Sequence, residues 1–169
     1  IYREYYQKGL NVDKLAEEIN RLSQGEQYEY SVADPSIFAK HGYVDSFGGQ
    51  TIAETFARYG IMFMPASNRR VDGWNLMHQY LYWGNEVLPK LIFFNTCYNS
   101  IRTIPNLIHD ELKPEDLETE GEDHTADAIR YLLLSLHERQ SAKPLTELER
   151  KLKMNREEDL NLNKFYYGS

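Results

Sequence analysis

Segments typical of strands alternate along this chain with segments typical of helices. Aromatic and β-branched runs predict strands at IYREYY, YEYSVADPS, IMFMPA and KLIFFN. Apolar residues at helical spacing predict helices over residues 12–23, 49–59, 72–83 and 124–137, and a short helix in CYNSIRTIPNLI that breaks before Pro105. This alternation is typical of an α/β domain whose sheet carries helices on its faces. We therefore expect the α/β fold class.

The last predicted helix has the clearest periodicity. Ile129, Leu132, Leu133 and Leu136 stand at positions i, i+3, i+4 and i+7, which predicts an apolar stripe that faces a core. From about residue 141 both charges mix with few apolar residues. We expect one domain over residues 1–140 and a charged, partly disordered C-terminal tail over residues 141–169.

The net charge of −7 is concentrated in one segment. Residues 109–127 contain nine acidic residues and one lysine, so the rest of the chain has a net charge of about +1. The overall charge therefore does not exclude a nucleic acid as partner. Such a block of acids is either a solvated loop or a group of carboxylates that cations neutralise, and both interpretations stay open.

Several classes of protein are disfavoured by what the sequence contains. The single cysteine, Cys97, excludes an internal disulfide and a zinc cluster built of cysteines, and it favours a reducing compartment. No apolar run approaches the roughly 18 to 20 residues of a membrane span. Neither a Walker-type phosphate loop nor an HExxH metalloprotease motif occurs. We expect a soluble, cytosolic protein that makes no contact with a membrane.

Two positions carry the candidate acids. Asp34 ends a predicted strand, where ligands collect in open α/β sheets, although Asp-Pro is also ordinary turn chemistry. At the start of the last helix, Asp123, His124 and Asp127 share a face opposite the leucine stripe. Helix capping and the helix dipole explain acids there equally well.

A site would require Asp34 and Asp127 to meet. Two carboxylates with a further acid or histidine can hold a pair of divalent cations, which activate water for phosphodiester hydrolysis. His124 would then be a further ligand or a phosphate contact. Basic residues in loops or at helix starts after strands are candidate DNA contacts: Lys40, Arg69, Arg70 and Arg102.

The motifs YSVADPS, GGQTIAETFARYGIMFMPASNRRVDGWNLMHQYL and LIFFNTCYNSIRTIPNLIHDELKPEDLETEGEDHTADAIRYLL resemble, in this order, the nuclease domain of the terminase large subunit of tailed bacteriophages and prophages. The resemblance covers roughly residues 1–137. It implies a ribonuclease H-like fold, a mixed sheet flanked by helices, with two Mg²⁺ or Mn²⁺ ions. Asp34 matches the strand-end acid of that family, Asp127 matches the acid of the late helix, and His124 matches a position that is often histidine. Asp123 would be an outer ligand.

The sequence departs from the family at its first acid. That acid lies on an opening strand, before the position where this sequence starts, and IYREYY contains no aspartate. Glu4 falls where a later strand of the family would be, so we do not assign the role of the family's first acid to Glu4. Either this acid lies upstream or it is absent, and in its absence we expect a sheet that lacks its first strands, weak metal binding and weak cleavage of DNA.

The resemblance implies a two-metal-ion endonuclease that cuts double-stranded concatemeric DNA during viral packaging in the host cytoplasm. Its partners would be the portal protein, the small terminase subunit and an upstream packaging ATPase domain of the same chain. Two alternatives stay open. One is a docking module of the packaging motor without turnover, and the other is the core of another ribonuclease H-like recombinase or resolvase.

Overall fold

A computed structural model describes residues 1–40, 51–84, 86–118 and 121–142 of the chain. The chain divides into two compact units, Ile1–Leu136 and His137–Ser169. The predicted tail lies, from residue 143 onward, outside the described residues.

The described residues form a mixed α/β fold, as the alternation of elements predicts. The helices are α1 (Val12–Leu22), α2 (Ile52–Arg58), α3 (Arg70–Leu81), α4 (Tyr98–Thr103) and α5 (His124–Ala142). Short 3-10 helices follow at Pro35–Phe38 and Ile104–Asn106, and the strands are β1 (Ser31–Ala33) and β2 (Phe63–Pro65). Each predicted helix is confirmed to within a few residues.

The ends of the helices follow from local side-chain chemistry. Asn11 caps α1, because its side chain accepts a hydrogen bond from the Lys14 amide. Thr51 and Glu54 form a reciprocal capping box at the start of α2. After α2 the chain turns at Gly60 with φ of +80°, a conformation that favours glycine.

The two strands are parallel, and α2 lies between them in the sequence. Ser31 pairs with Phe63, and Ala33 pairs with Pro65. The amide of Ala66 continues the pairing by donating to the Ala33 carbonyl at 2.9 Å. Both strands therefore end at one edge, and Asp34 begins the loop at that edge.

The strands predicted at IYREYY and KLIFFN are wrong, because neither segment forms a strand. Ile1 alone makes the paired contacts: its N-terminus donates to the Ile92 carbonyl at 2.6 Å, and its carbonyl accepts from the Phe94 amide at 2.9 Å. The following residues are held by side chains instead. Arg3 donates to the Leu22 carbonyl, and Glu4 binds the start of α4. Side-chain contacts thus replace a strand ladder after the first residue.

Helix α5 is buried on more than the predicted stripe. Ile129 and Leu133 are buried as expected, whereas Leu132 is only half-buried. Arg130 and Tyr131, which lie outside the stripe, are buried as well. Arg130 packs against Gly73 and Trp74 of α3, and Tyr131 bonds to Asp34 just after β1.

We expect Glu4→Gln to lower the free energy of unfolding at pH 7 by about 1 to 3 kcal/mol. The Glu4 carboxylate accepts from the amides of Asn99 and Ser100, at 2.9 and 2.7 Å, and from both of their side chains. Burial raises the pKa of Glu4, but these hydrogen bonds outweigh it and hold the pKa below its usual 4.5.

Because that pKa is lowered, the stabilisation is present above pH 4.5 and is lost as the pH falls below it. Thermal unfolding of both proteins at pH 7 and pH 3 measures this, and the difference between them should shrink at pH 3. Glu17→Gln, on the exposed side of α1, is the matched control. An equal difference at both pH values would contradict the capping role.

Candidate functional site

Asp34 makes the turn contact that the sequence predicts and a second contact to the last helix. Its Oδ1 accepts from the Ser36 amide at 2.7 Å, which is the turn chemistry expected of an Asp-Pro pair. Its Oδ2 accepts from the Tyr131 hydroxyl of α5 at 2.5 Å. The carboxylate is therefore fixed at the end of β1 and turned towards the last helix.

The predicted acids from the strand and the helix line one cavity of about 310 Å³. Asp34 lies on one side, and His124 and Asp127 lie on the other, with Tyr131 one turn further along α5. Two carboxylates and an imidazole that are distant in sequence are thus brought together at the carboxyl end of a strand.

The charge of Asp34 is maintained by its neighbours. Burial alone raises the pKa of Asp34, but hydrogen bonds from Ser36 and Tyr131 and the positive charge of Arg130 together bring it below its usual value. For Tyr131, burial and the bond to Asp34 raise the pKa of the hydroxyl. At neutral pH the pair is therefore a carboxylate that accepts from a phenol.

Asp127 is held by arginine. The Nε of Arg130 donates to Asp127 Oδ1 at 3.0 Å, and Arg130 Nη2 lies 2.9 Å from the same oxygen as an ion pair without hydrogen-bond alignment. Arg70 Nη1, from the start of α3, is 3.8 Å from that oxygen. Two guanidinium groups thus converge on one oxygen of this acid.

Arg130 is fully buried, with 0% of its side chain exposed. Its guanidinium carbon lies 5.1 Å from the centre of the Trp74 ring and 4.3 Å from that of the Tyr131 ring. Gly73 on α3 makes room for it, because a Cβ there would lie 2.2 Å from Arg130 Cγ. A buried guanidinium is costly unless it is paired, so Asp127 is its principal compensation.

The other two predicted site residues differ from each other in position. His124 has 72% of its side chain exposed, and its ring stacks against Tyr6 with centroids 6.3 Å apart. Asp123 is buried, does not line the cavity, and has Oδ1 3.7 Å from His124 Nδ1. Its carbonyl accepts the first helical bond, from the Asp127 amide, so Asp123 stands at the N-cap position of α5.

Three of the four predicted DNA contacts are paired with carboxylates. Arg69 lies 3.0 Å from Asp72, and Arg102 contacts Glu122. Lys40 is exposed. Arg70 donates to Asp116 at 3.0 and 3.1 Å, which places it against the protein.

Asp116 attaches the acidic segment to α3. Besides Arg70, it accepts from the Trp74 indole and the Leu117 amide, both at 2.8 Å. Burial raises the pKa of Asp116, but these three donors bring it below its usual value. Arginines from elsewhere in the chain thus neutralise part of the segment, at Asp116 and at Glu122.

The donors that line the cavity are of the class that a divalent cation requires. Carboxylate oxygens and imidazole suit Mg²⁺ and Mn²⁺, and Mg²⁺ is commonly held by one or two carboxylates together with water and substrate phosphates. Within the described ranges, no three His, Cys, Asp or Glu side chains come together as a metal-ligand group. Asp34 and Asp127 are the two carboxylates of this donor class that line the cavity, and the largely exposed His124 lines it as well.

Comparison with known proteins identifies no relative. No protein-family model, curated protein or solved structure matches the chain. None of the helices in the described part of the chain combines the length and the apolar character needed to cross a membrane.

Sequence reasoning missed the residues that hold the acids. Arg130 and Tyr131 lie within the motif EDHTADAIRY, but the leucine stripe of the same helix predicts burial only for other positions. The i, i+3 spacing of Asp127 and Arg130 was the available signal, because it permits an ion pair on one helix face. Asp116 carried no comparable signal, since it is one of nine acids in its segment.

Proposed function

We propose that the cavity between Asp34 and Asp127 is the site of a metal-dependent endonuclease, in a domain similar to the ribonuclease H-like nuclease domain of terminase large subunits. The single observation that supports this most strongly is that an acid at the end of β1 and an acid in the first turns of α5 line one cavity. The resemblance requires this meeting of a strand end and a late helix.

The proposal assigns a role to each residue of the cavity. Asp34 and Asp127 hold the divalent cation, and the exposed imidazole of His124 contacts a phosphate at the rim. The cation would supply a polarised water and charge stabilisation for phosphodiester hydrolysis. Tyr131 keeps Asp34 oriented, and Arg130 keeps Asp127 oriented.

Relaxation of supercoiled plasmid in the presence of Mn²⁺ tests the proposal. We expect slow nicking that EDTA abolishes and that falls at least tenfold in Asp34→Asn and in Asp127→Asn, because each substitution removes one anionic ligand. Asparagine keeps the side-chain volume and an acceptor oxygen, so folding should be retained. Glu17→Gln removes a remote negative charge and should cut like the parent.

Nicking that persists undiminished in both asparagine variants would overturn the site. Mn²⁺ binding without any nicking would overturn the activity of this chain and favour a docking function. Absence of both Mn²⁺ binding and nicking would overturn the whole proposal.

A docking module of a packaging motor is the second candidate, and exposed apolar side chains favour it. After α3 ends at Leu81, Trp83 is 78% exposed and Leu88 is 84% exposed. Trp83 belongs to the helix predicted over residues 72–83, but α3 ends two residues before it. Exposed apolar side chains close together often mark contacts with a partner protein.

The docking candidate is tested by measuring affinity for purified portal protein. We expect weaker binding when Trp83 and Leu88 are both replaced by serine. The predicted tail is a second docking segment, and deleting residues 141–169 tests it separately. Unchanged affinity in both variants would remove this candidate.

A further inference from the structure

Asp127 is surrounded by more positive charge than a cation ligand needs. The Oδ1 atom of Asp127 accepts a hydrogen bond from Arg130 Nε at 3.0 Å and lies 3.8 Å from Arg70 Nη1. Asp116 shares Arg70, and Asp34 lies across the cavity. These three carboxylates and two guanidinium groups leave a net charge of −1, which is less than a divalent cation would balance.

Both arginines have unused hydrogen-bonding capacity. Nη1 and Nη2 of Arg130, and Nη2 of Arg70, are buried and make no hydrogen bond with any described residue. Buried donors without acceptors are unusual, because each loses its hydration without replacement. The two guanidinium groups are therefore stabilised mainly by their ion pairs, and both pair with Asp127.

Both arginines approach the same oxygen of the acid. The hydrogen bond from Arg130 Nε and the ion-pair contacts of Arg130 Nη2 and Arg70 Nη1 are to Oδ1 of Asp127. Asp127 has 23% of its side chain exposed and lines the cavity, whereas Arg130 does not reach it. The arginines do not line the cavity, so they influence it only through the effect of their charge on Asp127.

We propose that Arg130, assisted by Arg70, is an internal counter-ion of the cation site, so that a divalent cation binds Asp34 and Asp127 weakly until an anionic phosphate joins it. This inference rests on the proposed function and adds a coupling between cation and substrate. Arg130 is a positioning residue, since it acts through Asp127.

The physical basis is charge competition. A guanidinium within about 3 Å of a ligand oxygen repels a cation that approaches the same carboxylate, and partial burial strengthens the repulsion relative to water. A phosphodiester brings one further negative charge into the cavity. The site then carries two negative charges, which match one divalent cation.

Mn²⁺ titration followed by electron paramagnetic resonance tests the inference without any measurement of activity. Arg130→Gln removes the charge but keeps a donor of similar length, and we expect Mn²⁺ to bind at least about tenfold more tightly. Arg130→Lys keeps the charge and should remain within threefold of the parent. Glu17→Gln, which removes a charge on the exposed side of α1, should also remain within threefold.

A second titration tests the coupling. It uses Ca²⁺ in place of Mn²⁺, so that a short DNA duplex is bound but not cleaved, and it compares Ca²⁺ binding with and without the duplex. We expect the duplex to tighten cation binding in the parent protein and to do so less in Arg130→Gln. If Arg130→Gln does not fold, Arg70→Gln should show the same change to a smaller extent, because Arg70 lies further from Asp127.

The outcomes separate the inference from the proposed function. Mn²⁺ binding that depends on Asp34 and is unchanged or weaker in a folded Arg130→Gln would overturn the counter-ion alone. Tighter binding in Arg130→Lys as well would assign the effect to packing and overturn it too. Binding that does not depend on Asp34 would overturn both.

Discussion

Asp127→Ala is expected to lower the free energy of unfolding by about 3 kcal/mol, in addition to removing a proposed cation ligand. The substitution leaves the fully buried Arg130 without its carboxylate, and an uncompensated buried charge is strongly destabilising. We take the lower end of the usual range because 23% of the Asp127 side chain is exposed, so water already screens part of the pair. Urea unfolding monitored by circular dichroism measures the effect.

The double variant Asp127→Leu with Arg130→Met is the informative control. It replaces both charges with apolar groups of similar size, and replacing a buried pair in this way is often neutral. We expect it to recover most of the lost stability. A loss below about 1 kcal/mol in Asp127→Ala would contradict the buried ion pair. Activity measured on Asp127→Ala must be corrected for the fraction of unfolded protein. Asp127→Asn is the better variant for activity, because it keeps an acceptor for Arg130 Nε.

Gly73→Ala is expected to destabilise the protein by about 1 to 3 kcal/mol, although alanine is the better helix former. The added Cβ would lie 2.2 and 2.6 Å from Cγ and Cδ of Arg130, and 3.1 Å from a methyl carbon of Leu134. These are inner atoms of a buried arginine, which cannot move without disturbing the pair with Asp127. Thermal unfolding checks the prediction.

Asn75→Ala, on the exposed side of the same helix, is the matched control and should be neutral or slightly stabilising. If Gly73→Ala were equally neutral, the close approach of α3 and α5 would be wrong. The two variants together separate the packing effect from the helix propensity of alanine.

The helices were predictable because each carries its signals within a few residues. Asn11 and Thr51 provide caps, and Gly60 provides a stop. The strands were less predictable, since pairing joins distant segments and apolar runs alone do not specify a partner. The segments IYREYY and KLIFFN illustrate this: they meet, but only Ile1 of the first segment makes backbone hydrogen bonds to the second.

The candidate acids were also partly predictable. Strand-end position and helix periodicity select Asp34 and Asp127, and both line the same cavity. The arginines around Asp127 could not be assigned from the sequence. Arg70 stands as an ordinary basic residue at a helix start until Asp116 and Asp127 are brought beside it by tertiary contacts.

The bond between Tyr131 and Asp34 also sets the order in which this protein can mature during synthesis. The residues of β1 leave the ribosome long before α5 does, so Asp34 must wait for its partner until almost the whole described chain has emerged. Ile1 waits in the same way for Ile92 and Phe94. Because contacts between such distant segments form slowly, we expect the bond between Asp34 and Tyr131 to form late, and a nascent chain stopped before α5 would lack the proposed cation site.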